Sequence, residues 1–213
     1  MKALLGIIST LFIVASPFVL YWTLTHHNVA VAAIALIAWV IVRTIPTFMS
    51  ASAEQRRAAL QLPAIALLFA VIGWILNDGT YLLVMPAATQ GTFGLTFLRS
   101  VDRARTRTPL IEHFARMVKG DLSVDEQAHC RRWTKIWGVY LIVLAAIGLG
   151  LARFATLEVW TLYVGFVSYG LVGVLFAVEY VIRRIKFRDY GRNPIDWLLR
   201  RLFPAARPDV TSC

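Results

Sequence analysis

Charged residues are scarce in this chain, and acidic ones most of all. Of the 213 residues, 16% are charged, whereas 58% are hydrophobic. A soluble domain of this size could not hide so much apolar surface from water, but a membrane protein faces lipid and does not need to. The composition therefore excludes an ordinary soluble protein and indicates one that is embedded in a membrane.

Cysteines are few, and recognisable catalytic motifs are missing. The two cysteines, Cys130 and Cys213, lie far apart in segments predicted to be cytoplasmic, so no structural disulfide is expected. The sequence has no internal repeat and no low-complexity linker. It also lacks the motifs of kinases, hydrolases, P-loop proteins and dinucleotide-binding proteins, so it points to none of those classes.

Long apolar runs are abundant. A transmembrane helix requires about 20 mostly apolar residues, and six stretches approach or reach that length: 3–24, 28–45, 62–77, 80–98, 135–151 and 157–182. The first is predicted to be a retained signal anchor, because its apolar run is longer than that of a cleaved signal peptide. The third and fourth are predicted to form a hairpin at Asn77-Asp78-Gly79; Pro86 and Gln90 leave open whether the fourth crosses fully. The prediction is an all-α, polytopic membrane protein with about six transmembrane helices.

Basic residues outnumber acidic ones, 22 to 12, and they are unevenly distributed. Nine lie between residues 99 and 135, eight lie from residue 183 onwards, and Arg43, Arg56 and Arg57 lie between the second and third spans. With six spans, these segments share one side with the N-terminus, and the positive-inside rule assigns that side to the cytoplasm. Both termini are therefore predicted to be cytoplasmic, and the net charge of +10 requires no nucleic-acid partner.

The chain thus divides into four predicted parts. Residues 1–98 form a four-helix transmembrane half, and residues 99–134 form a basic cytoplasmic loop with an amphipathic helix. Residues 135–182 form a transmembrane helix pair, and residues 183–213 form a basic cytoplasmic tail with a second amphipathic helix.

The loop helix is predicted from the stretch TPLIEHFARMVKG, residues 108–120. Thr108 can cap a helix whose first residue is Pro109, and Gly120 can stop it. One helical face is apolar, and its residues are Leu110, Ile111, Phe114, Met117 and Val118. Because Ser123 and Glu126 form a capping box, a second helix is predicted to start there and to continue into the fifth span. The first helix is expected to lie on the membrane surface.

The tail helix is predicted from NPIDWLLRRLFP, residues 193–204. Asn193 can cap it, Pro194 takes the first position and Asp196 the third. Its apolar stripe consists of Ile195, Leu198, Leu199, Leu202 and Phe203. Such a helix either anchors the chain at the membrane surface or binds a partner.

Four residues of the basic loop suggest a metal site or a nucleophile: Glu112, His113, His129 and Cys130. Zinc ligands recur at spacings such as Cys-x-x-Cys or His-x-x-x-His, which do not occur here. Neighbouring residues of a helix point about 100° apart, so the adjacency of His129 and Cys130 does not pair a base with a thiol. The pair His26-His27 lacks a third ligand. No catalytic, cofactor or metal site is predicted.

Two carboxylates are candidate functional residues. Glu179 lies near the cytoplasmic end of the last span, where Arg183 at i+4 could pair with it, as could Arg43 from another helix. Asp78 lies in the turn on the opposite side. A proton relay would need several ionisable groups at mid-membrane depth, where the sequence offers little besides Gln90.

A set of mostly basic residues is predicted to bind anionic lipid headgroups or an acidic partner, such as an acyl carrier protein. Its members are Glu112, Arg116, Arg131, Arg132, Arg183, Arg184, Arg200 and Arg201. Composition alone does not separate lipid from protein as the ligand.

The second half of the chain, about residues 108–187, resembles small bacterial inner-membrane proteins encoded in gene clusters for aryl polyene pigments of the xanthomonadin-like type. The shared features are Pro109, Glu112, Arg131-Arg132, Thr134, Trp137, Trp160, Glu179-Tyr180 and Arg183-Arg184. The chain departs from that family at His129, where the family has a tyrosine, and at Gly165, where it often has an asparagine.

The resemblance implies a location in the bacterial inner membrane and a role beside an assembly line that builds an acyl chain on a carrier protein. A non-enzymatic accessory or scaffold protein for soluble synthases is the first hypothesis. A lipid or polyene transporter, or a subunit of one, is the second, and a membrane acyltransferase-like enzyme is the third.

Overall fold

The computed structural model describes residues 15–50, 53–102, 108–188 and 193–202. All regular structure in these residues is helical, which confirms the predicted all-α class. The helices are α1 (15–26), α2 (Val29–Ser50), α3 (Ala53–Leu76), α4 (Thr80–Ser100), α5 (Leu110–Lys119), α6 (Val124–Phe154), α7 (Leu157–Leu162), α8 (Ser168–Phe187) and α9 (Pro194–Leu202). A π-helical segment (Tyr163–Val167) joins α7 to α8.

Some predicted features lie outside the described residues. They are the first part of the N-terminal span (3–14), the arginines Arg103, Arg105 and Arg107, and the end of the tail with Phe203 and Cys213.

Two helical stretches in the described residues are long and apolar enough to cross a membrane, α6 and the continuous helix from Leu157 to Phe187. Two shorter apolar stretches, Val29–Val42 and Pro63–Leu76, lie in α2 and α3. Every predicted span coincides with a helix where it is described, and several helices run further than predicted: α2 continues past Ile45 to Ser50. The helix α4 is unbroken despite Pro86, as is common in membrane helices, where neighbouring groups satisfy the freed backbone.

The turn between α3 and α4 forms where it was predicted. Asn77 has a φ of 50°, in the left-handed region that asparagine tolerates well. The side-chain Oδ1 of Asp78 accepts the backbone N–H of Thr80 at 2.9 Å. This bond satisfies one of the free N–H groups at the start of α4.

The helices α4 and α6 run antiparallel and approach closely through glycine. A Cβ atom added to Gly94 would lie 2.8 Å from the carbonyl oxygen of Gly138. A Cβ atom added to Gly138 would lie 2.6 Å from Leu98. Small residues at such crossings allow backbone-to-backbone contact, which is typical of helix pairs in membranes.

Apolar side chains dominate the outside of the helices, and polar contacts lie between them. Large apolar side chains point outward along most helices, and Phe154 is 86% exposed. Polar contacts lie inside: Gln90 Nε2 donates to Ser168 Oγ at 2.6 Å, and the Tyr163 hydroxyl donates to the Leu144 carbonyl at 2.9 Å. Interhelical hydrogen bonds of this kind satisfy polar groups that hydrocarbon cannot. The fold therefore fits transmembrane helices.

Gly165, where the resembled family often has an asparagine, is buried against α1. A Cβ atom added there would lie 2.7 Å from the ring of Phe18. Phe18 also packs edge-on against Phe166, with 5.3 Å between the ring centroids. An aromatic ring from another helix thus occupies the space that a side chain at position 165 would need.

Candidate functional site at the basic end

Segments that are far apart in the sequence meet at one end of the helical body. This basic end comprises residues 99–102, 108–135, 179–188 and 193–202. The guanidinium of Arg131 on α6 reaches the carbonyl oxygen of Val101, which follows α4, at 3.5 Å. His129 of α6 contacts the ring of Phe187 at the end of α8, with 5.2 Å between centroids. The predicted basic loop and basic tail therefore form one surface.

The start of α5 is fixed by side chains of neighbouring helices. The prediction that Thr108 caps this helix was wrong: the helix begins at Leu110 after a buried Pro109, and no side-chain cap is formed. The N–H of Leu110 instead donates to Ser100 Oγ at 3.2 Å, and that of Ile111 donates to Thr134 Oγ1 at 3.4 Å. The first N–H groups of a helix need such partners, and here α4 and α6 supply them.

The helix α5 turns its polar side toward the protein. Glu112 is only 6% exposed, and its Oε1 accepts two hydrogen bonds from the guanidinium of Arg116, at 2.8 and 3.1 Å. The apolar residues Phe114, Met117 and Val118 point outward, and Val118 is 90% exposed. Three of the five residues predicted for the apolar face therefore point outward, whereas Ile111 packs inward against Ala115 and Cys130.

The hairpin between α5 and α6 is closed by the predicted capping box. Ser123 Oγ accepts the N–H of Glu126 at 3.3 Å, and Glu126 Oε2 accepts the N–H of Ser123 at 2.9 Å. Lys119 adds an ion pair, with its Nζ 2.6 Å from Glu126 Oε1. The bond from Lys119, followed by that from Ser123, lowers the pKa of the Glu126 carboxyl, which precedes the apolar part of α6. Glu126 therefore stays charged and ties α5 to α6. Gly120, with a φ of 78°, ends α5 as predicted.

His129 and Cys130 are buried on the same stretch of α6, before its apolar part begins at Lys135. Burial, aided by nearby Lys186, Arg183 and Arg132, lowers the pKa of His129 to about 4. Burial also raises the pKa of the Cys130 thiol, and a thiol that stays protonated is a poor nucleophile. His129 Nε2 has no hydrogen-bond partner in the described structure. The arrangement is that of neutral packed side chains.

No metal site forms among the described residues. Their histidine, cysteine and acidic side chains include no group of three that could hold an ion. His113 is exposed on α5, and at the opposite end the rings of His26 and His27 pack around Trp22.

Glu179 pairs across helices. The indole N–H of Trp137 on α6 donates to the Glu179 carboxylate on α8. The Trp137 ring lies between Phe97 of α4 and Phe176 of α8, at centroid distances of 6.3 and 6.4 Å. No salt bridge within 4 Å joins Glu179 to Arg183 in the described residues, although the charge of Arg183 acts on the carboxylate. The side chain of Arg43, the alternative predicted partner, lies outside the described part of the structure.

The helix α9 is attached to α8 through a carboxylate. Asp196 is fully buried, and its Oδ1 accepts the hydroxyl of Tyr180 at 2.8 Å and lies 3.2 Å from Arg184 Nε. The Arg184 guanidinium also stacks over the Tyr180 ring, 5.0 Å from its centroid. Leu199 is buried beside these contacts, whereas the other apolar side chains of α9 point outward: Ile195, Trp197, Leu198 and Leu202. The arrangement repeats that of α5.

The predicted docking residues fall into two groups. Four support the basic end itself: Glu112, Arg116, Arg131 and Arg184. Arg183 is half-buried, and Arg132, Arg200 and Arg201 are exposed on the surface. The other candidate carboxylate, Asp78, lies at the opposite end of the body and does not approach Glu179.

The sequence did not predict the roles of three residues at the basic end. The side-chain oxygens of Ser100 and Thr134 accept backbone N–H groups of α5, and Asp196 anchors α9 to α8. Asp196 stands at the third position of its helix, where an acidic residue is ordinarily explained by the helix dipole. No local signal marks its contact with Tyr180. The residues that carry the family resemblance gather here, apart from Trp160 in α7.

Comparisons of the chain with protein-family models, curated proteins and solved structures find no match.

Proposed function

We propose that the chain is a multi-pass protein of the bacterial inner membrane, with about six spans and its basic end in the cytoplasm. The outward apolar side chains and the internal polar contacts support a lipid environment. The concentration of Lys and Arg at one end supports the orientation, because basic segments remain on the cytoplasmic side.

We further propose that the protein is a non-enzymatic accessory or scaffold protein that holds soluble, acidic partners at the membrane. The resemblance noted above suggests an acyl carrier protein, or the synthases that work on it, in an assembly line of the aryl polyene type. The basic end is the docking surface.

The observation that supports this proposal is the arrangement of acidic and basic side chains at the basic end. Three carboxylates there, Glu112, Glu126 and Asp196, are buried and already paired with basic side chains. Five basic residues are exposed on the same surface: Arg132, Lys135, Lys186, Arg200 and Arg201. An array of like charges held on a fixed surface attracts an oppositely charged partner and orients it.

The outward faces of α5 and α9 suit the boundary between headgroups and acyl chains. Immersion of Val118 and Leu198 in that boundary would place the exposed arginines beside the headgroups. Anionic lipids are therefore the second ligand of the same surface. No observation among the described residues favours the transporter or the acyltransferase-like enzyme over this function.

The test is binding of a purified acyl carrier protein to the full chain in lipid nanodiscs. The combined variant Arg132→Glu, Arg200→Glu and Arg201→Glu should weaken binding about tenfold or more, and added salt should weaken wild-type binding. The matched control is the combined variant Arg132→Lys, Arg200→Lys and Arg201→Lys, which keeps the three positive charges and should bind nearly as the wild type does. Equal affinities for wild type and the combined variant would refute the docking proposal.

A further inference from the structure

An open groove lies at the end of the body opposite the basic end. It runs between the start of α4 and the end of α6 and has a volume of about 430 Å³. Thr80 and Val84 line it from α4, and Ala146, Gly150 and Arg153 line it from α6.

Gly150 borders the open space of this groove. A Cβ atom added to Gly150 would meet no atom within 4 Å, whereas Gly94 and Gly138 on the same helix pair leave no room for one. The two helices therefore touch toward the basic end and leave space at the groove. Val84 and Ala146 give the groove aliphatic walls. The exposed side chains of Leu149 and Phe154 extend these apolar walls toward the surface.

One cationic side chain stands at the mouth of the groove. The Arg153 guanidinium lies 5.7 Å from the centroid of the Phe154 ring, and its charge acts on the nearby Asp78 carboxylate. The nearby Asp78 carboxylate accepts the N–H of Thr80. This bond, more than the charge of Arg153, lowers the pKa of Asp78. Among the described residues, no salt bridge within 4 Å joins the guanidinium to Asp78, so it can still bind an anionic group.

We propose that this groove binds one diacyl phospholipid, with its phosphate on Arg153 and an acyl chain along Val84, Ala146 and Gly150. An arginine can donate two parallel hydrogen bonds to a phosphate, a geometry that gives both strength and orientation. The aliphatic walls match a hydrocarbon chain, and a position at the end of two helices matches the depth of a headgroup. This inference rests on the membrane location proposed above and is independent of partner docking.

The test uses the full chain purified in mild detergent and washed extensively. Native mass spectrometry counts the phospholipids that remain bound, and a phosphorus assay measures their amount. Wild type should retain one phospholipid. Gly150→Leu should lose it, because the added side chain enters the space that the acyl chain occupies, and Arg153→Gln should lose it because the phosphate has no donor.

Matched controls separate this site from general lipid adhesion. Gly173→Leu adds the same side chain at another helical glycine with nothing within 4 Å, and Arg99→Gln removes an exposed arginine at the basic end. Both should retain the phospholipid. Circular dichroism and size exclusion check the fold of each variant, and Arg153→Gln tests the site even if Gly150→Leu fails to fold. The proposal is overturned if Gly150→Leu and Arg153→Gln retain as much phospholipid as the wild type, or if the control variants lose as much as these two. A failure of carrier-protein binding in the docking test would not affect this result.

Discussion

The side chains of Trp137 and Glu179 join α6 to α8 through a hydrogen bond from the indole N–H to the carboxylate. Phe97 and Phe176 flank the indole ring, so the bond is shielded by aromatic side chains from two helices. The carboxylate has no cation as its hydrogen-bond partner among the described residues, which makes the indole its principal support. This contact is the point where the basic end meets the apolar part of the long helices.

Removal of that donor should destabilise the protein. Trp137→Phe leaves the half-buried carboxylate without its hydrogen-bond donor, which costs about 1 kcal/mol, and the unfolding temperature in detergent should fall. Glu179→Gln should have a smaller effect, because its amide oxygen still accepts the indole N–H. A larger loss in Glu179→Gln than in Trp137→Phe would show that charge, and not the hydrogen bond, is what the site requires.

The buried Asp196 should hold α9 on the body. Asp196→Ala leaves Tyr180 and Arg184 without their acceptor, and a broken buried ion pair costs about 3–5 kcal/mol. The helix should detach, and trypsin should cleave faster after Arg200 and Arg201 in nanodiscs. The control is Asp121→Ala, which removes an exposed carboxylate of the same end. Equal cleavage rates in wild type and Asp196→Ala would disprove the anchoring role.

The close crossing of α4 and α6 should not tolerate a methyl group. Gly94→Ala places a Cβ atom 2.8 Å from the Gly138 carbonyl oxygen, and a contact with backbone can be relieved only by moving the helices apart. The expected cost is about 1–3 kcal/mol, measured as a lower unfolding temperature. Gly170→Ala, at an α8 glycine with nothing within 4 Å, should leave that temperature nearly unchanged, and a similar loss in both variants would contradict the assignment.

Stability should depend on pH through His129. Its pKa is about 4 in the folded chain and 6.5 in its ordinary state, so between these values the unfolded chain binds more protons than the folded one. Stability should therefore fall as the pH drops from 6.5 toward 4. His129→Gln should remove part of this decline, seen in unfolding temperatures at pH 7 and pH 5. His113→Gln, at an exposed histidine of α5, should keep the wild-type decline.

Local patterns were sufficient to predict several features of the fold. The Ser123 capping box, the turn at Asn77-Asp78-Gly79 and the stop at Gly120 all form as predicted. Each depends on residues within a few positions of one another, whose preferences act before any long-range contact exists. The same holds for the helical class, which follows from the periodicity and length of the apolar runs.

Contacts between distant segments could not be predicted in this way. The start of α5 depends on Ser100 and Thr134, which lie on two other helices and replace the cap expected at Thr108. The spacing of Glu179 and Arg183 favours a pair on one helix, yet the carboxylate turns to Trp137 on another. A local sequence pattern does not indicate which helices pack against each other in the folded protein.

The sequence by itself determined that the chain is helical and apolar, where its basic residues are concentrated, and that two of its short helices are amphipathic. Only the tertiary structure decided which way those helices face. Asp196 points inward, where Tyr180 and Arg184 of α8 hold its carboxylate. Glu112 pairs with Arg116 of its own helix, and the start of that helix is fixed by Ser100 of α4 and Thr134 of α6. A buried carboxylate requires hydrogen-bond or ion-pair partners, and with the carboxylates inside, the exposed apolar side chains of each helix point outward.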